Sequence, residues 1–213
     1  MPVKIDEREY RKIEGAFETR KAEDGQMIVE GYATTFNQPY ELYRDREIIV
    51  KEQVDPDAFK DTDMSDTIMQ YDHAGRVFAR VKNGTLELTP DEHGLKVRAN
   101  LGGTEIGRQL FEEIEGGYTS KMSFGFTVTG QKREETERQN GQITVLRTIT
   151  KIGKLFDVSA VSLPANDATE ISARSIGDGL VAEVREEVLA EEERQRKIGE
   201  IRKILKGEKT DDE

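Results

Sequence analysis

Residues 77–100, VFARVKNGTLELTPDEHGLKVRAN, contain the pattern that decides the fold. Three runs that suit β-strands, at 77–81, 84–89 and 94–100, are divided by the turn-like segments KNG and PDEHG. Short runs between Gly- and Pro-containing turns are typical of successive strands. This stretch therefore predicts a domain built mainly of β-strands.

Strand patterns also precede and follow this stretch. A hairpin is predicted over 14–36, with a polar turn before its second strand. Further short strands are predicted at 47–50, 68–71, 122–129, 143–149 and 155–163. The charged segment KREETERQNGQ is predicted to be a loop. Many short strands with few helices favour a mainly β fold of the α+β class, in which a closed or nearly closed barrel is surrounded by peripheral helices.

Two segments have helical patterns. Over 104–116 the apolar residues recur at helical spacing, Thr104 can cap the first turn, and Gly116 can end the helix. After Arg174 the chain is rich in Glu, Arg and Lys, and its apolar stripe is interrupted. This composition predicts a solvated, charged helix. The predicted organisation is an N-terminal arm (1–13), one domain (14–174) and a charged helical tail (175–213).

The composition excludes several classes of function. The chain of 213 residues has no cysteine and two histidines, which rules out a thiolate nucleophile and makes a catalytic metal site unexpected. A formal net charge of −11 argues against a general nucleic-acid binder. No apolar run approaches the about 20 residues that span a bilayer, and no signal-peptide pattern opens the chain. We expect a soluble intracellular protein with no cofactor, no membrane partner and no nucleic-acid partner.

A histidine and a serine are the strongest candidates for chemistry. His73 follows a short apolar strand and precedes a glycine-containing turn, a position that suits a functional imidazole. Ser123 lies in KMSFGF, where alternation puts it on one face with Gly125, and the bulky residues on the other. Such a face would leave an open lane for a substrate backbone. The alternative, a small face packed under another element, stays open, because a hydroxyl needs a base that only folding can bring near.

A third group would orient the imidazole. Asp157 is the main candidate, because an acid between Phe156 and Val158 in an apolar strand is unusual, although a partner for a basic residue is nearly as good an explanation. Asp72 is a weaker alternative, because neighbouring residues of a strand point apart. His93 lies in a hydrophilic turn and is expected to have no role.

Other catalytic motifs are missing from the sequence. There is no GxGxxG, no GxxxxGK[ST] and no GxSxG. A carboxylate pair of the glycosidase kind is possible among the 43 acidic residues, but no spacing singles one out.

Five blocks of the sequence, taken together, resemble the prohead proteases of tailed bacteriophages. They occur in the family's order over about residues 29–174, and they read VEGYATTFN, DPDAF, DHAGRVFARVKNGTLELTPDEHGLKVRANL, GRQLFEEIEGGYTSKMSFGF and LFDVSAVSLPAND. That family is similar to the herpesvirus assemblins. The resemblance therefore implies a β-barrel with surrounding helices and, as is frequent in the family, a homodimer.

The resemblance also implies an activity and a site. It implies a serine endopeptidase, inside the viral procapsid in the host cytoplasm or prophage-encoded in a bacterial cytoplasm. Its substrates would be the scaffold or the scaffold-like arm of the major capsid protein, and the protease itself. By motif, the family's nucleophile, base and acid fall on Ser123, His73 and Asp157; Glu is the commoner residue at the third position, so that role departs from the pattern. Oxyanion donors are not identified, but the glycine pairs at 102–103 and 116–117 are possible sources.

Two rival functions give different expectations. A non-enzymatic scaffold or assembly protein on the same barrel would not need His73 and Ser123 to meet. A hydrolase that uses buried carboxylates would keep its activity after Ser123→Ala.

Overall fold

A computed structural model describes residues 7–13, 17–23, 25–139, 142–162 and 167–205, and it contains two sheets and two α-helices. The larger sheet consists of β1 (Arg8–Ile13), β4 (Tyr40–Arg44), β5 (Ile48–Val54), β6 (Ile68–Tyr71), β7 (Ala74–Arg80), β10 (Lys121–Gln139) and β11 (Gln142–Val161). The smaller sheet consists of β2 (Glu18–Lys21), β3 (Met27–Thr35), β8 (Leu86–Pro90) and β9 (Gly94–Asn100). The helices are α1 (Glu105–Glu115) and α2 (Asp167–Leu205). The predicted mainly β, α+β class is confirmed.

The predicted barrel is not supported. Over the described residues the larger sheet has the open order β1-β10-β11-β5-β4, and the smaller sheet has the open order β2-β3-β9-β8. β11 is long enough to pair with two strands in succession, with β5 along its first half and with β6 near its end. The larger sheet therefore branches at β11. Alternating hydrophobicity specifies which face of a strand is buried, but it does not specify which strands are neighbours.

The long hairpin of β10 and β11 also differs from the prediction. The segment KREETERQNGQ was predicted as a loop, yet its residues 132–139 continue β10 and pair with β11. Tertiary contacts outweigh the low strand propensity of these charged residues, because Arg133 forms ion pairs with Glu183 and Glu187 of α2. The two strands of this hairpin, Lys121–Gln139 and Gln142–Val161, are therefore paired through the charged segment as well.

One apolar core lies between the two sheets and α1. Phe124 and Phe126 of β10, Val97 of β9 and Phe111 of α1 are all buried in it. The helix begins as predicted, because the Thr104 hydroxyl accepts a hydrogen bond from the backbone N–H of Gly107 at 3.1 Å. This core supports β10 and β11 from the side on which the phenylalanines point.

A second apolar cluster lies under the first half of α2. Ile176, Leu180 and Val184 pack against Ile48 of β5 and Val145 of β11. The second half of the helix is mostly exposed. No helix in the described part of the chain combines the length and apolar character needed to cross a bilayer. The domain limits at 13/14 and 174/175 stay a prediction, although β1 of the predicted arm pairs with β10.

Candidate active site

His73 lies in a two-residue turn between β6 and β7. Tyr71 pairs with Ala74, so Asp72 and His73 alone make the connection. Both have positive φ angles, 48° and 58°, as a type I′ hairpin turn requires. A non-glycine residue in this region costs about 1–2 kcal/mol. The backbone N–H of Asp72 donates to the Ala160 carbonyl at 3.0 Å, which anchors the turn beside β11.

Ser123 and Asp157 lie on the paired strands β10 and β11. Ser123 is opposite Ser159, and Gly125 is opposite Asp157, so the four residues share one face of the hairpin. Gly125 is needed there: a Cβ atom at that position would lie 2.5 Å from Asp157 Oδ1. The small residue predicted to clear a lane for substrate therefore makes room for the carboxylate.

The three predicted residues form a connected chain of contacts. His73 Nε2 is 2.5 Å from Ser123 Oγ, and His73 Nδ1 is 2.5 Å from Asp157 Oδ2. The Ser159 hydroxyl donates to Asp157 Oδ2 at 2.8 Å. Because the carboxylate holds Nδ1–H, Nε2 of the neutral ring is left to accept the proton of Ser123.

The carboxylate is kept ionised at full burial. The Asp157 side chain is 0% exposed and that of His73 is 3% exposed. Burial by itself raises the pKa of Asp157, but hydrogen bonds from His73 and Ser159 and the positive charge of Arg8 outweigh it, so the pKa is lowered overall. An ionised Asp157 can stabilise an imidazolium at position 73.

The prediction that the face of Ser123 is open to a substrate is wrong, because β1 covers the site. Ser123 is 0% exposed, and its hydroxyl lies 2.9 Å from the Arg11 carbonyl oxygen, to which it can donate. The Tyr10 ring meets the His73 ring edge-on, with centroids 4.5 Å apart. Arg8 forms an ion pair with Asp157 Oδ1. The alternation that put Ser123 on a face of small residues was correct, but it could not show which strand lies against that face.

Sequence reasoning missed four residues around the site. The sequence did contain a signal for Ser159. It lies two residues after Asp157 in the same strand, and residues two apart in a strand share a face. Arg8, Tyr10 and Arg11 had none, since their position depends on β1 pairing with a strand more than 100 residues away.

The other candidates lie elsewhere or have other partners. Asp72 accepts a hydrogen bond from the Ser162 hydroxyl at 3.5 Å, while Asp157 is the acid on the imidazole. His93 is exposed in the turn between β8 and β9, where its ring meets Tyr32.

Three of the four glycine N–H groups suggested as oxyanion donors are engaged locally. The N–H of Gly102 donates to Asn100 Oδ1, that of Gly116 to the Glu112 carbonyl, and that of Gly117 to the Ile114 carbonyl. These bonds belong to the turn after β9 and to the end of α1, so the three groups are not available to a reacting carbonyl in this arrangement.

A hydroxyl, an imidazole and a buried carboxylate joined in this order are the arrangement that serine hydrolases use. The family model for the caudovirus prohead serine protease matches residues 15–180 of the chain. The chain therefore belongs to this family of serine peptidases, which act in phage capsid maturation.

Comparison with individual proteins adds one structural similarity. The capsid assembly protease gp21 of bacteriophage T4 is similar with 13% sequence identity and a TM-score of 0.41, over 73% of this chain and 99% of that chain. No curated protein matches the chain. The similarity to herpesvirus assemblins stays a prediction.

Proposed function

We propose that this chain is a serine endopeptidase with Ser123 as nucleophile, His73 as general base and acid, and Asp157 as the carboxylate that orients His73. The observation that carries the proposal is the pair of 2.5 Å contacts that joins Ser123 Oγ, the His73 ring and Asp157 Oδ2. Family membership supports the reaction class, and the contacts support the assignment of roles.

In the first half of the reaction, His73 Nε2 takes the proton of Ser123 as Oγ bonds to the carbonyl carbon of a peptide. Asp157 stays ionised and stabilises the imidazolium through Nδ1–H. The tetrahedral intermediate collapses, its C–N bond breaks, and the proton on Nε2 passes to the leaving amine. The products are a free amine and an ester on Ser123.

In the second half, His73 takes a proton from water, and the hydroxide attacks the ester carbonyl. The bond from Oγ to the acyl carbon breaks, and Nε2 returns its proton to Ser123. A carboxylic acid leaves, and the starting state is restored.

Membership of the prohead serine protease family supports the proposed substrates. They are the scaffold, or the scaffold-like arm of the major capsid protein, and the protease itself. The reaction takes place inside the procapsid in the host cytoplasm, or in the bacterial cytoplasm when the protein is encoded by a prophage. A homodimer remains part of the proposal.

Co-expression with the capsid protein encoded by the same phage tests the function. Ser123→Ala and His73→Ala should each reduce processing by on the order of 10⁶-fold, which in practice is complete loss, because serine and histidine act as one unit. Intact-mass measurement of the capsid protein reads the result. Ser120→Ala, the same chemical change at an exposed position three residues away, should process normally.

Full processing by Ser123→Ala would end the proposal and would favour a hydrolase based on carboxylates. Absence of processing by the unmodified chain, with the capsid protein assembled, would favour a non-enzymatic assembly role. The 2.5 Å contact between Ser123 and His73 argues against that role, because a scaffold has no need of it.

A further inference from the structure

The strand β1 contacts every member of the proposed site. The side chains of Arg8 and Tyr10 contact Asp157 and His73, and the backbone carbonyl of Arg11 contacts Ser123. Because Ser123 is completely inaccessible to solvent, a substrate carbonyl cannot reach its hydroxyl while β1 is in place. Any reaction in trans therefore requires β1 to leave.

The Arg11 carbonyl also competes for the proton that catalysis must move. A serine hydroxyl has one proton, and here two acceptors lie within reach, His73 Nε2 at 2.5 Å and the Arg11 oxygen at 2.9 Å. When the hydroxyl donates to Arg11, it is not poised for transfer to the imidazole. Arg8 likewise shares the Asp157 carboxylate with His73. The covered site is consequently in a resting arrangement.

The way β1 binds is the way an extended peptide binds to a sheet edge. β1 is the edge strand of the larger sheet and pairs antiparallel with β10, with Lys12 opposite Ser123 and Tyr10 opposite Gly125. Main-chain pairing of this kind provides affinity, while pockets for alternate side chains provide selectivity.

In β1, the side chains that could provide selectivity lie on the face turned away from His73. Glu9 and Arg11 point away from His73 into a buried charge cluster, which we define as Glu9, Arg11, Glu52 of β5 and Arg147 of β11. Arg11 Nε lies 2.5 Å from Glu52 Oε1, and Arg147 Nη2 lies 2.9 Å from Glu9 Oε1. Two positive and two negative charges balance in the cluster.

We propose that β1 occupies the peptide-binding edge of β10 in cis, masks Ser123, and must be displaced by a substrate strand that Glu52 and Arg147 help to select. This inference rests on the proposed function and deepens it. Glu52 and Arg147 lie 2.5 Å apart and stay paired when β1 leaves, so the emptied edge remains neutral. It offers one carboxylate and one guanidinium to an incoming strand. The preferred substrate is an extended peptide with an acidic residue followed two positions later by arginine.

Tethering sets the threshold for displacement. A strand held in cis acts at an effective concentration on the order of millimolar, so a separate peptide competes only at a similar concentration or with better contacts. The enzyme is then silent at low substrate concentration and active where substrate chains are crowded together.

Reaction of the full-length chain with a fluorophosphonate tests the masking directly. Oγ of an accessible, activated serine displaces fluoride from phosphorus, and intact mass counts the adduct without any knowledge of the substrate. Arg11→Glu places a third carboxylate in the charge cluster and should expel β1, so we expect labelling of Ser123 to become at least about tenfold faster. Arg20→Glu, the same charge change on exposed β2, should label at the unmodified rate. Ser123→Ala gives the blank.

A peptide tests the selectivity. The segment 7–13, Glu-Arg-Glu-Tyr-Arg-Lys-Ile, should slow the labelling of the Arg11→Glu protein back toward the unmodified rate. The same peptide with Arg11→Glu should not. Equal protection by both peptides would overturn the role of Glu52 and Arg147.

Hydrogen exchange measures the opening of β1 in the unmodified chain, so this test does not depend on a variant that folds. We expect the amides of β1 to exchange through an opening that leaves the pairing of β10 with β11 intact. Exchange of β1 only at the global unfolding rate would overturn the inference. The same holds if folded Arg11→Glu labels no faster than the unmodified chain while Ser123 is still labelled; in that case the proposed function stands. If Ser123 is labelled in no variant and no capsid protein is cut, the proposed function itself fails.

Discussion

The larger sheet carries two buried polar sites, the charge cluster and the proposed active site, and they differ in chemistry. The charge cluster joins β1, β5 and β11 through guanidinium and carboxylate groups, and burial of Arg147 and Glu52 is almost complete. The proposed active site joins β10, β11 and the turn after β6, and its members are equally buried. Burial alone therefore does not distinguish a reactive site from a structural one in this protein.

The difference lies in the mobility of protons and in the backbone that presents the groups. In the charge cluster burial by itself would raise the pKa of Glu52, but Arg11 and Arg147 lower it to about 2, so no proton moves at neutral pH. The proposed site instead contains an imidazole between a hydroxyl and a carboxylate. It is held by a turn with two positive φ angles, a local cost of the kind that clusters at functional sites.

The largest effect should come from the charge on Asp157. Asp157→Asn keeps the size of the side chain but cannot stabilise the imidazolium, and it favours the wrong tautomer of His73, so capsid processing should fall about 10⁴-fold. Asp157→Glu keeps the charge, and it should retain much more activity than the asparagine variant. Rates of capsid-protein cleavage measure both. Similar rates for the two variants would show that the charge at 157 has no part in the reaction.

The second-largest effect should come from a cation of the charge cluster. Arg147→Met removes one cation and leaves Glu9 and Glu52 with Arg11 alone, so the free energy of unfolding should fall by about 3–5 kcal/mol. Arg138→Met removes an exposed cation of β10 that pairs with Glu135 and should cost less than about 1 kcal/mol. Urea unfolding measures both losses. Equal losses would mean that the charge cluster is no more important than a surface ion pair.

The smallest effect is the dependence of stability on acid. The folded pKa of Glu52, about 2, lies below its ordinary value of 4.5, so its contribution is present above about pH 4.5 and is lost as the pH falls toward 2. One proton changes the free energy of unfolding by at most about 1.4 kcal/mol per pH unit.

Urea unfolding between pH 5 and pH 3 measures this slope. Glu52→Gln should be less stable at pH 7 and should have a flatter slope below pH 4.5. Glu112→Gln, at an exposed position of α1, should keep the slope of the unmodified chain. A slope that survives Glu52→Gln would assign the acid sensitivity to other carboxylates.

Local patterns predicted most elements and drew attention to the three residues of the proposed site. The strands around 77–100 and the capped helix at 105–115 follow from turn residues, alternation and a threonine at the right place. A local pattern indicates each of Ser123, His73 and Asp157: a face of small residues, a strand end, and an acid between apolar neighbours. The continuation of β10 through a charged segment was not predicted, because its support comes from α2.

By itself, the sequence determined a mainly β chain, its strand and helix signals, the absence of thiol chemistry and a short set of polar residues worth testing. Only the tertiary structure decided that the sheets are open, that residues 73, 123 and 157 meet, and that β1 lies over them. The reason is that side-chain alternation and caps act within a few residues of the chain. Pairing partners are chosen by burial and charge balance across more than 100 residues, as between Arg8 and Asp157.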